Sequence, residues 1–361
     1  MKKISFLQFM LAIMVMVSFA LVSCTKEGPA GPAGKDGTNG TDGTDGTNGS
    51  DGTNGLDGGT NCAQCHDNTQ TLFSKVNQWE HSFHATGEAF NRNTAACATC
   101  HTSQGFIGVR NGTYDPAAAG AKIENPNPPN CYTCHMIHDT YSPADWALRV
   151  TGEISMFNTT ETYDFGKSSI CASCHQGRAV SGGMPVPNGP DVTFTGVRYG
   201  VHHGPMANVF TGKGLFNIGD GLDLNSPHTT MITEACVTCH MASANGYNYG
   251  EHTMNVSGDV EGTETLNTAG CVSCHADAAA LLVKVTNLQT EISGKLIELK
   301  ALLDAKGITA AGSDNTIGGT YPANVAGACI NYKAITEDKS LGVHNFTYVR
   351  RLLQNSIDGI Q

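Results

Sequence analysis

Residues 131–138 read CYTCHMIH, and they place two cysteines and two histidines close together in the chain. Zinc, a disulfide, a redox dithiol or a haem could each use some of these side chains. The whole chain is rich in both residue types, because its 361 residues include 14 cysteines and 14 histidines, whereas only 15% of residues are charged. This composition predicts metal or cofactor chemistry.

The pattern Cys-x-x-Cys-His occurs six times and uses all of the cysteines except Cys24 and Cys329. In such a motif two cysteines bind one haem through thioether bonds, and the adjacent histidine binds its iron. Zinc knuckles or redox dithiols are the alternative, but zinc needs four converging ligands, and neither explains a histidine after every pair. The chain is therefore predicted to carry six covalently bound c-type haems. The thioether cysteines are Cys62, Cys65, Cys97, Cys100, Cys131, Cys134, Cys171, Cys174, Cys236, Cys239, Cys271 and Cys274, and the proximal ligands are His66, His101, His135, His175, His240 and His275.

With these motifs, residues 60–361 resemble the multihaem c-type cytochromes. The resemblance implies a compact hexahaem cytochrome c domain, in which haems fill the core and thioether bonds hold the loops around them. The motifs follow one another closely, and turn-forming segments such as residues 125–130 (NPNPPN) lie between them, so little room is left for separate domains. We expect a mainly α fold with extensive irregular loops.

Two segments near the C-terminus have helical periodicity. From Ala278 to Lys306, apolar residues recur three or four positions apart, and Gly307 would end this long helix. A second helix is predicted from Thr347 to Ile357. Residues 276–361 are thus expected to form a helical C-terminal part of the domain.

Eight histidines remain as candidates for the second, distal iron ligands. His138 follows His135 too closely to bind the same iron from the opposite face, so it is predicted to reach a neighbouring haem, as in multihaem cytochromes with a CxxCHxxH arrangement. Resemblance to W…S-x-H-A, H-x-G-P and GVHN segments favours His84, His203 and His344. The six distal candidates are His84, His138, His203, His228, His252 and His344.

Several other residues are alternatives to these candidates or are expected to have other roles. His202 is the alternative to His203, because neighbouring side chains diverge, and His81 is expected to contact a propionate or solvent. A methionine such as Met254 could replace a distal histidine, although methionines near a porphyrin more often serve as flexible packing. Cys329 is expected to be a small buried apolar residue.

The N-terminus reads as an export signal. Residues 1–23 carry two lysines and an apolar run that ends in Leu21-Val22-Ser23 before Cys24, which resembles a lipoprotein signal peptide with a lipidated cysteine. The alternative is an uncleaved transmembrane anchor, since the run is about 19 residues long. Both predict an exported protein tied to a membrane, at the outer membrane or the cell surface.

Within residues 24–59, glycine recurs at every third position from Gly28 to Gly58, as in collagen. Prolines are few in this linker, so a hydrophilic spacer stands beside a trimerising triple helix as its interpretation. A homotrimer through this segment, or stacking of cytochrome subunits, would follow from the second interpretation or from the resemblance. The formal net charge of −11 argues against nucleic acid as a partner.

The resemblance implies an electron carrier in respiratory or extracellular electron transfer. Its partners would be other cytochromes, membrane quinol-linked donors or an external acceptor. The alternative is a multihaem reductase for a small nitrogen or sulfur compound, but similar nitrite reductases replace one proximal histidine by lysine, whereas all six motifs here end in histidine. Surface adhesion through the collagen-like segment is a third hypothesis. We expect an electron carrier without an open haem rather than an enzyme.

Overall fold

A computed structural model describes residue 66 and residues 70–201, 204–222 and 226–361. The predicted signal peptide, Cys24, the collagen-like linker and the first two motif cysteines, Cys62 and Cys65, lie outside the described residues, as do His202 and His203. All described residues belong to one compact unit, residues 55–361.

Short helices joined by long irregular loops make up the region that holds the haem motifs. These helices are α1 (Gln70–Glu80), α2 (Phe83–Thr86), α3 (Ala95–His101), α4 (Ser103–Arg110), α5 (Cys131–Cys134), α6 (Ser169–Ala172), α7 (Met206–Thr211), α8 (Pro227–Met231) and α9 (Cys236–His240). Turns of 3-10 helix lie at Glu88–Asn91, Pro143–Trp146, Gly166–Ser168 and Glu251–Thr253. Side-chain caps start several of these helices, for example Asn130, which accepts a hydrogen bond from the Tyr132 amide at the start of α5.

Strands are short and form three separate two-stranded antiparallel sheets within the described residues. The strands are β1 (Glu153–Ser155), β2 (Thr162–Asp164), β3 (Val192–Phe194), β4 (Ser257–Val260), β5 (Thr263–Leu266) and β6 (Gly319–Tyr321). Strand β1 pairs with β2 and β4 with β5, whereas β3 pairs with the distant β6, Thr193 opposite Thr320. The last pairing ties the central loops to the C-terminal helices.

Three C-terminal helices contribute most of the largest apolar core. They are α10 (Ala278–Ala305), α11 (Ala323–Asp338) and α12 (Phe346–Asp358). Asp277 caps the N-terminus of helix α10, because its carboxylate accepts a hydrogen bond from the Ala280 amide. The helix buries one leucine-rich face that includes Leu299 and Leu303. Helix α11 is buried nearly all round, and at Gly327 an added Cβ would lie 2.2 Å from the Phe216 ring, so only glycine permits this approach.

The structure confirms the predicted long helix and the predicted C-terminal helix, which extends from Phe346 to Asp358. Helix α11 was not predicted, because a helix buried on every side has no polar face and shows no amphipathic period. None of the helices in the described ranges is long and apolar enough to cross a bilayer.

Candidate haem sites

Each described motif folds as a single helical turn. Helices α3, α5 and α9 contain the cysteine pairs of three motifs, and in two others the histidine amide donates to the carbonyl of the first cysteine, at 2.9 Å for His175 and 2.8 Å for His275. Residues three and four positions apart share one face of such a turn. The two thiols and the following imidazole are therefore on the same side of the backbone, as a covalently held haem requires. All described cysteines are free of disulfides.

Ten imidazoles of the described region lie in five pairs, and each pair joins a predicted proximal histidine to a predicted distal one. The five ring-centroid distances are 6.1 Å for His66–His138, 5.9 Å for His84–His175, 6.3 Å for His135–His252, 6.4 Å for His228–His275 and 6.2 Å for His240–His344. The partners come from segments that are distant in sequence, so tertiary folding creates the pairs.

This spacing matches the geometry of a metal held between two imidazoles. Metal–nitrogen bonds of about 2 Å on opposite sides of one ion place the two ring centroids about 6 Å apart. Direct ring stacking is closer, as with His81 and Tyr247, whose centroids are 4.4 Å apart. The ring-centroid distances therefore fit a metal ion held between each pair, and they also fall within the range of aromatic contacts elsewhere in the protein, such as 5.9 Å for His135–Trp146.

The CYTCHMIH stretch contributes to two of these pairs. His135 follows α5 and lies beside His252, whereas His138 lies beside His66. The backbone turns sharply between them, since His138 has a φ of +64°, which directs the two imidazoles to different neighbours. Arg149 stabilises this turn, because its guanidinium donates to the carbonyl of His135 at 2.9 Å.

Hydrogen bonds at Nδ1 orient several of the imidazoles. The Nδ1 atoms of His135, His228 and His240 lie 2.7, 2.9 and 2.9 Å from the backbone carbonyls of Trp146, Val343 and Met254, respectively. A carbonyl accepts only from a protonated nitrogen, so Nδ1 carries the proton and Nε2 keeps its lone pair. This tautomer presents Nε2 to a metal, and the carbonyl fixes the ring plane.

Two distal imidazoles have different surroundings. His344 Nδ1 lies 2.6 Å from Oδ1 of the buried Asp338 carboxylate. The buried Nδ1 of His252 has no hydrogen-bond partner among the described residues. These two candidate distal ligands therefore differ in how strongly their rings are polarised.

Burial lowers the pKa of four of these ten imidazoles, His84, His175, His240 and His252, which favours the neutral form that binds metal. Burial lowers the pKa of His175 to about 4, with nearby His84 adding to the effect, and burial together with the charge of Lys75 lowers the pKa of His252 to about 4. Burial also lowers the pKa of His240. At His344, burial alone would lower the pKa, but the Asp338 carboxylate outweighs it and the pKa is raised.

Close contacts connect neighbouring sites. The neighbouring Cys174 thiol lowers the pKa of Cys100, and the neighbouring Cys239 thiol lowers the pKa of Cys271. Met254 lies between three sites: its carbonyl bonds to His240, its sulfur contacts His84 Nδ1, and His252 is two residues away. The pairs thus form a connected group.

The remaining sequence candidates lie outside the pairs. His81 is exposed, bonds to the Asn77 carbonyl and stacks on Tyr247. Cys329 is fully buried in the C-terminal core, as expected for a small apolar residue. In the part of the chain that the structure describes, no group of three or more histidine, cysteine, aspartate or glutamate side chains could hold a metal ion. The Nδ1 partners could not be predicted, because a backbone carbonyl has no sequence signature and Asp338 resembles any acidic residue at the end of a helix.

Comparisons with known proteins agree with this geometry. No protein-family model matches the chain. C-type polyheme cytochrome OmcB of Geobacter sulfurreducens is 25% identical over 343 residues, covering 77% of this chain and 45% of the relative. OmcC of the same organism is 25% identical over 332 residues, covering 73% of this chain and 42% of the relative.

A solved structure is also similar. The crystal structure of outer cell wall cytochrome OcwA matches with a TM-score of 0.51 and 25% sequence identity, over 80% of this chain and 50% of that chain. The chain spans about half the length of these relatives. Its homologues are c-type polyhaem cytochromes, and its largely helical, loop-rich fold resembles that of a cytochrome.

Proposed function

We propose that the chain is an exported electron carrier that holds six c-type haems, each with two histidine ligands. The observation that carries this proposal is the set of five imidazole pairs at 5.9–6.4 Å, each with one partner from a Cys-x-x-Cys-His motif. The three carbonyl contacts at Nδ1, in His135, His228 and His240, leave Nε2 of each ring free to bind metal. The polyhaem cytochromes among its relatives support the choice of haem.

In this proposal each imidazole pair supplies the proximal and the distal ligand of one site, which accounts for five of the six sites. His66, His135, His175, His240 and His275 are the proximal ligands of these five sites, and His138, His252, His84, His344 and His228 are their distal partners in the same order. The sixth proximal residue is His101, and His203 is the distal candidate that remains from the sequence.

Large apolar side chains beside the imidazoles suit contact with a porphyrin face. Phe83, next to His84, is 83% exposed, and Met231, in the same helix as His228, is 69% exposed. Tyr141 stacks on His138 at a centroid distance of 5.4 Å and is itself 63% exposed. Such surface is costly in water and gains free energy when a flat apolar group covers it.

Paired imidazoles favour electron transfer over catalysis. Bound haem iron supplies one-electron redox chemistry, with a potential set by its axial ligands and their hydrogen bonds. Two histidine ligands would leave no position on the iron open for a substrate. The carbonyl contacts at Nδ1 hold the rings in one orientation, which limits rearrangement when an electron arrives or leaves.

The location and partners are extensions of this proposal. Cys24 would carry a lipid after removal of residues 1–23, and residues 24–59 would hold the cytochrome domain away from the membrane. The structural relative named as an outer cell wall cytochrome supports an outer location. Electrons would then pass between other redox proteins, such as cytochromes or quinol-linked donors, and an external acceptor.

The haem number is tested by the intact mass of the protein purified from a host that exports and matures c-type cytochromes. We expect the mass of the chain plus six haems. Cys271→Ser/Cys274→Ser is a matched variant that should lower the number to five, because it removes both thioether bonds of one motif. A wild-type mass that contains fewer than six haems would refute the proposed count.

A further inference from the structure

Two candidate distal imidazoles, His228 and His344, bind different hydrogen-bond acceptors at the end of α11 and in the loop that follows it. His344 bonds to the Asp338 carboxylate, whereas His228 Nδ1 lies 2.9 Å from the carbonyl of Val343 in the same loop. The Met254 carbonyl lies 2.9 Å from His240 Nδ1, and Met254 follows His252 by two residues; Val343, which binds His228, precedes His344 directly. The His240–His344 site therefore lies beside both neighbouring sites, and the three sites differ in ligand polarisation.

Asp338 is unusual because it is buried at the C-terminal end of a helix. Its side chain has no exposed surface, and the negative end of the α11 dipole does not favour a carboxylate. A carboxylate in such a place needs hydrogen bonds to compensate for lost water. Ser340 donates to Oδ2, and His344 Nδ1 lies 2.6 Å from Oδ1. The loop thus holds the charge directly against the imidazole.

We infer that Asp338 is a positioning residue that sets the reduction potential of the haem held between His240 and His344. It would lower this potential below those of the haems held by His135 with His252 and by His275 with His228. Electrons would then leave the His240–His344 haem towards both neighbours. This inference rests on the proposed function, since it assumes that the imidazole pairs bind haem.

The lower potential would result from the negative charge on Asp338, the acceptor of the hydrogen bond from His344. A carboxylate that accepts from Nδ1–H draws the proton away from the ring and makes Nε2 a stronger donor, which favours ferric over ferrous iron. A neutral carbonyl polarises the ring less, and the Nδ1 of His252 has no such partner among the described residues.

The test is a redox titration of the full-length holoprotein, followed by electron paramagnetic resonance (EPR) so that individual haems are resolved. His344→Met first assigns the signal of the His240–His344 haem, because this variant alters that iron alone. Asp338→Asn keeps the shape and an acceptor oxygen but removes the charge. We expect the reduction equilibrium constant of the assigned haem to rise about tenfold, which is about 59 mV for one electron, while the other haems change much less.

Two further variants make the test specific. Ser340→Ala removes a donor that disperses the Asp338 charge, so the potential of the same haem should fall rather than rise. Asp304→Asn is the matched control, because this acid bonds to Lys300 in α10 and to Thr309 in the loop after it, and to no histidine in the described contacts. It removes one negative charge from the same part of the protein and should shift no single haem.

The outcomes separate this inference from the proposed function. An unchanged potential in Asp338→Asn, or an equal shift of all haems in Asp338→Asn and Asp304→Asn, would overturn the role of Asp338. If Asp338→Asn makes the iron high-spin, the sign of the Ser340→Ala shift decides: a fall supports the inference, and no change overturns it. Failure of the proposed function would instead appear in the wild type, as fewer than six low-spin haems.

Discussion

Replacing His138 by methionine tests the most unexpected part of the site. The structure places His138 beside His66, with ring centroids 6.1 Å apart, whereas the adjacent motif histidine His135 lies 6.3 Å from His252. His138→Met should therefore change the haem of the first motif and leave the haem of its own motif unaltered. A methionine sulfur donates less strongly to ferric iron than imidazole, so the potential of that haem should rise.

The size of the effect follows from the ligand assignment. Only one of the six haems should change its potential, so about one-sixth of the total absorbance change should occur at a higher potential than in the wild type. The size of this rise should be a part of the roughly 0.8 V that haem iron ligands span. His81→Met is the matched control, because His81 is exposed and belongs to none of the imidazole pairs. The assay is optical redox titration, with haem number checked by mass.

Two results would contradict this reasoning. An unchanged titration in His138→Met would mean that His138 binds no iron. A change in the haem of Cys131 and Cys134, identified by its loss in a Cys131→Ser/Cys134→Ser background, would mean that His138 belongs to its own motif rather than to His66.

Two other predictions concern stability and location. Leu299→Ala should lower the free energy of unfolding by about 2–5 kcal/mol, because Leu299 is fully buried in the core formed by the C-terminal helices. Ile297→Ala, at a position that is 72% exposed, should change this free energy by less than about 1 kcal/mol. Denaturant unfolding followed by circular dichroism measures both changes, and equal losses would show that this core does not stabilise the fold. Cys24→Ser should release the protein from the membrane fraction if Cys24 is lipidated, and unchanged partitioning would support an uncleaved anchor.

The helices could be predicted where the sequence has a period. Helix α10 shows a repeating leucine face, and Gly307, with a φ of +73°, follows its end as expected. Helix α11 could not be predicted, because its alanine, glycine and cysteine residues pack on every side, and Gly327 approaches the Phe216 ring too closely for any side chain. Such packing depends on partners from elsewhere in the chain.

The candidate ligands could be predicted from the sequence, whereas their pairing could not. Each of the six motifs lies within five consecutive residues, so the motifs could be identified from the sequence. His138 follows His135 by only three residues, so the two were not expected to bind the same iron from opposite faces. The partner of each distal histidine could not be predicted, since His84 and His175 are brought together only by the tertiary fold. The role of Asp338 was also invisible, because it depends on the loop that carries His344 back to the end of α11.

The most direct test of the electron-carrier proposal is the coordination of every iron in the wild-type protein. EPR of the oxidised protein, with spins quantified against its haem content, should show six low-spin irons per chain. Carbon monoxide added to the reduced protein should leave its optical spectrum nearly unchanged, because two histidines occupy each iron. One high-spin iron per chain that binds carbon monoxide stoichiometrically would contradict the account and would point to a reductase.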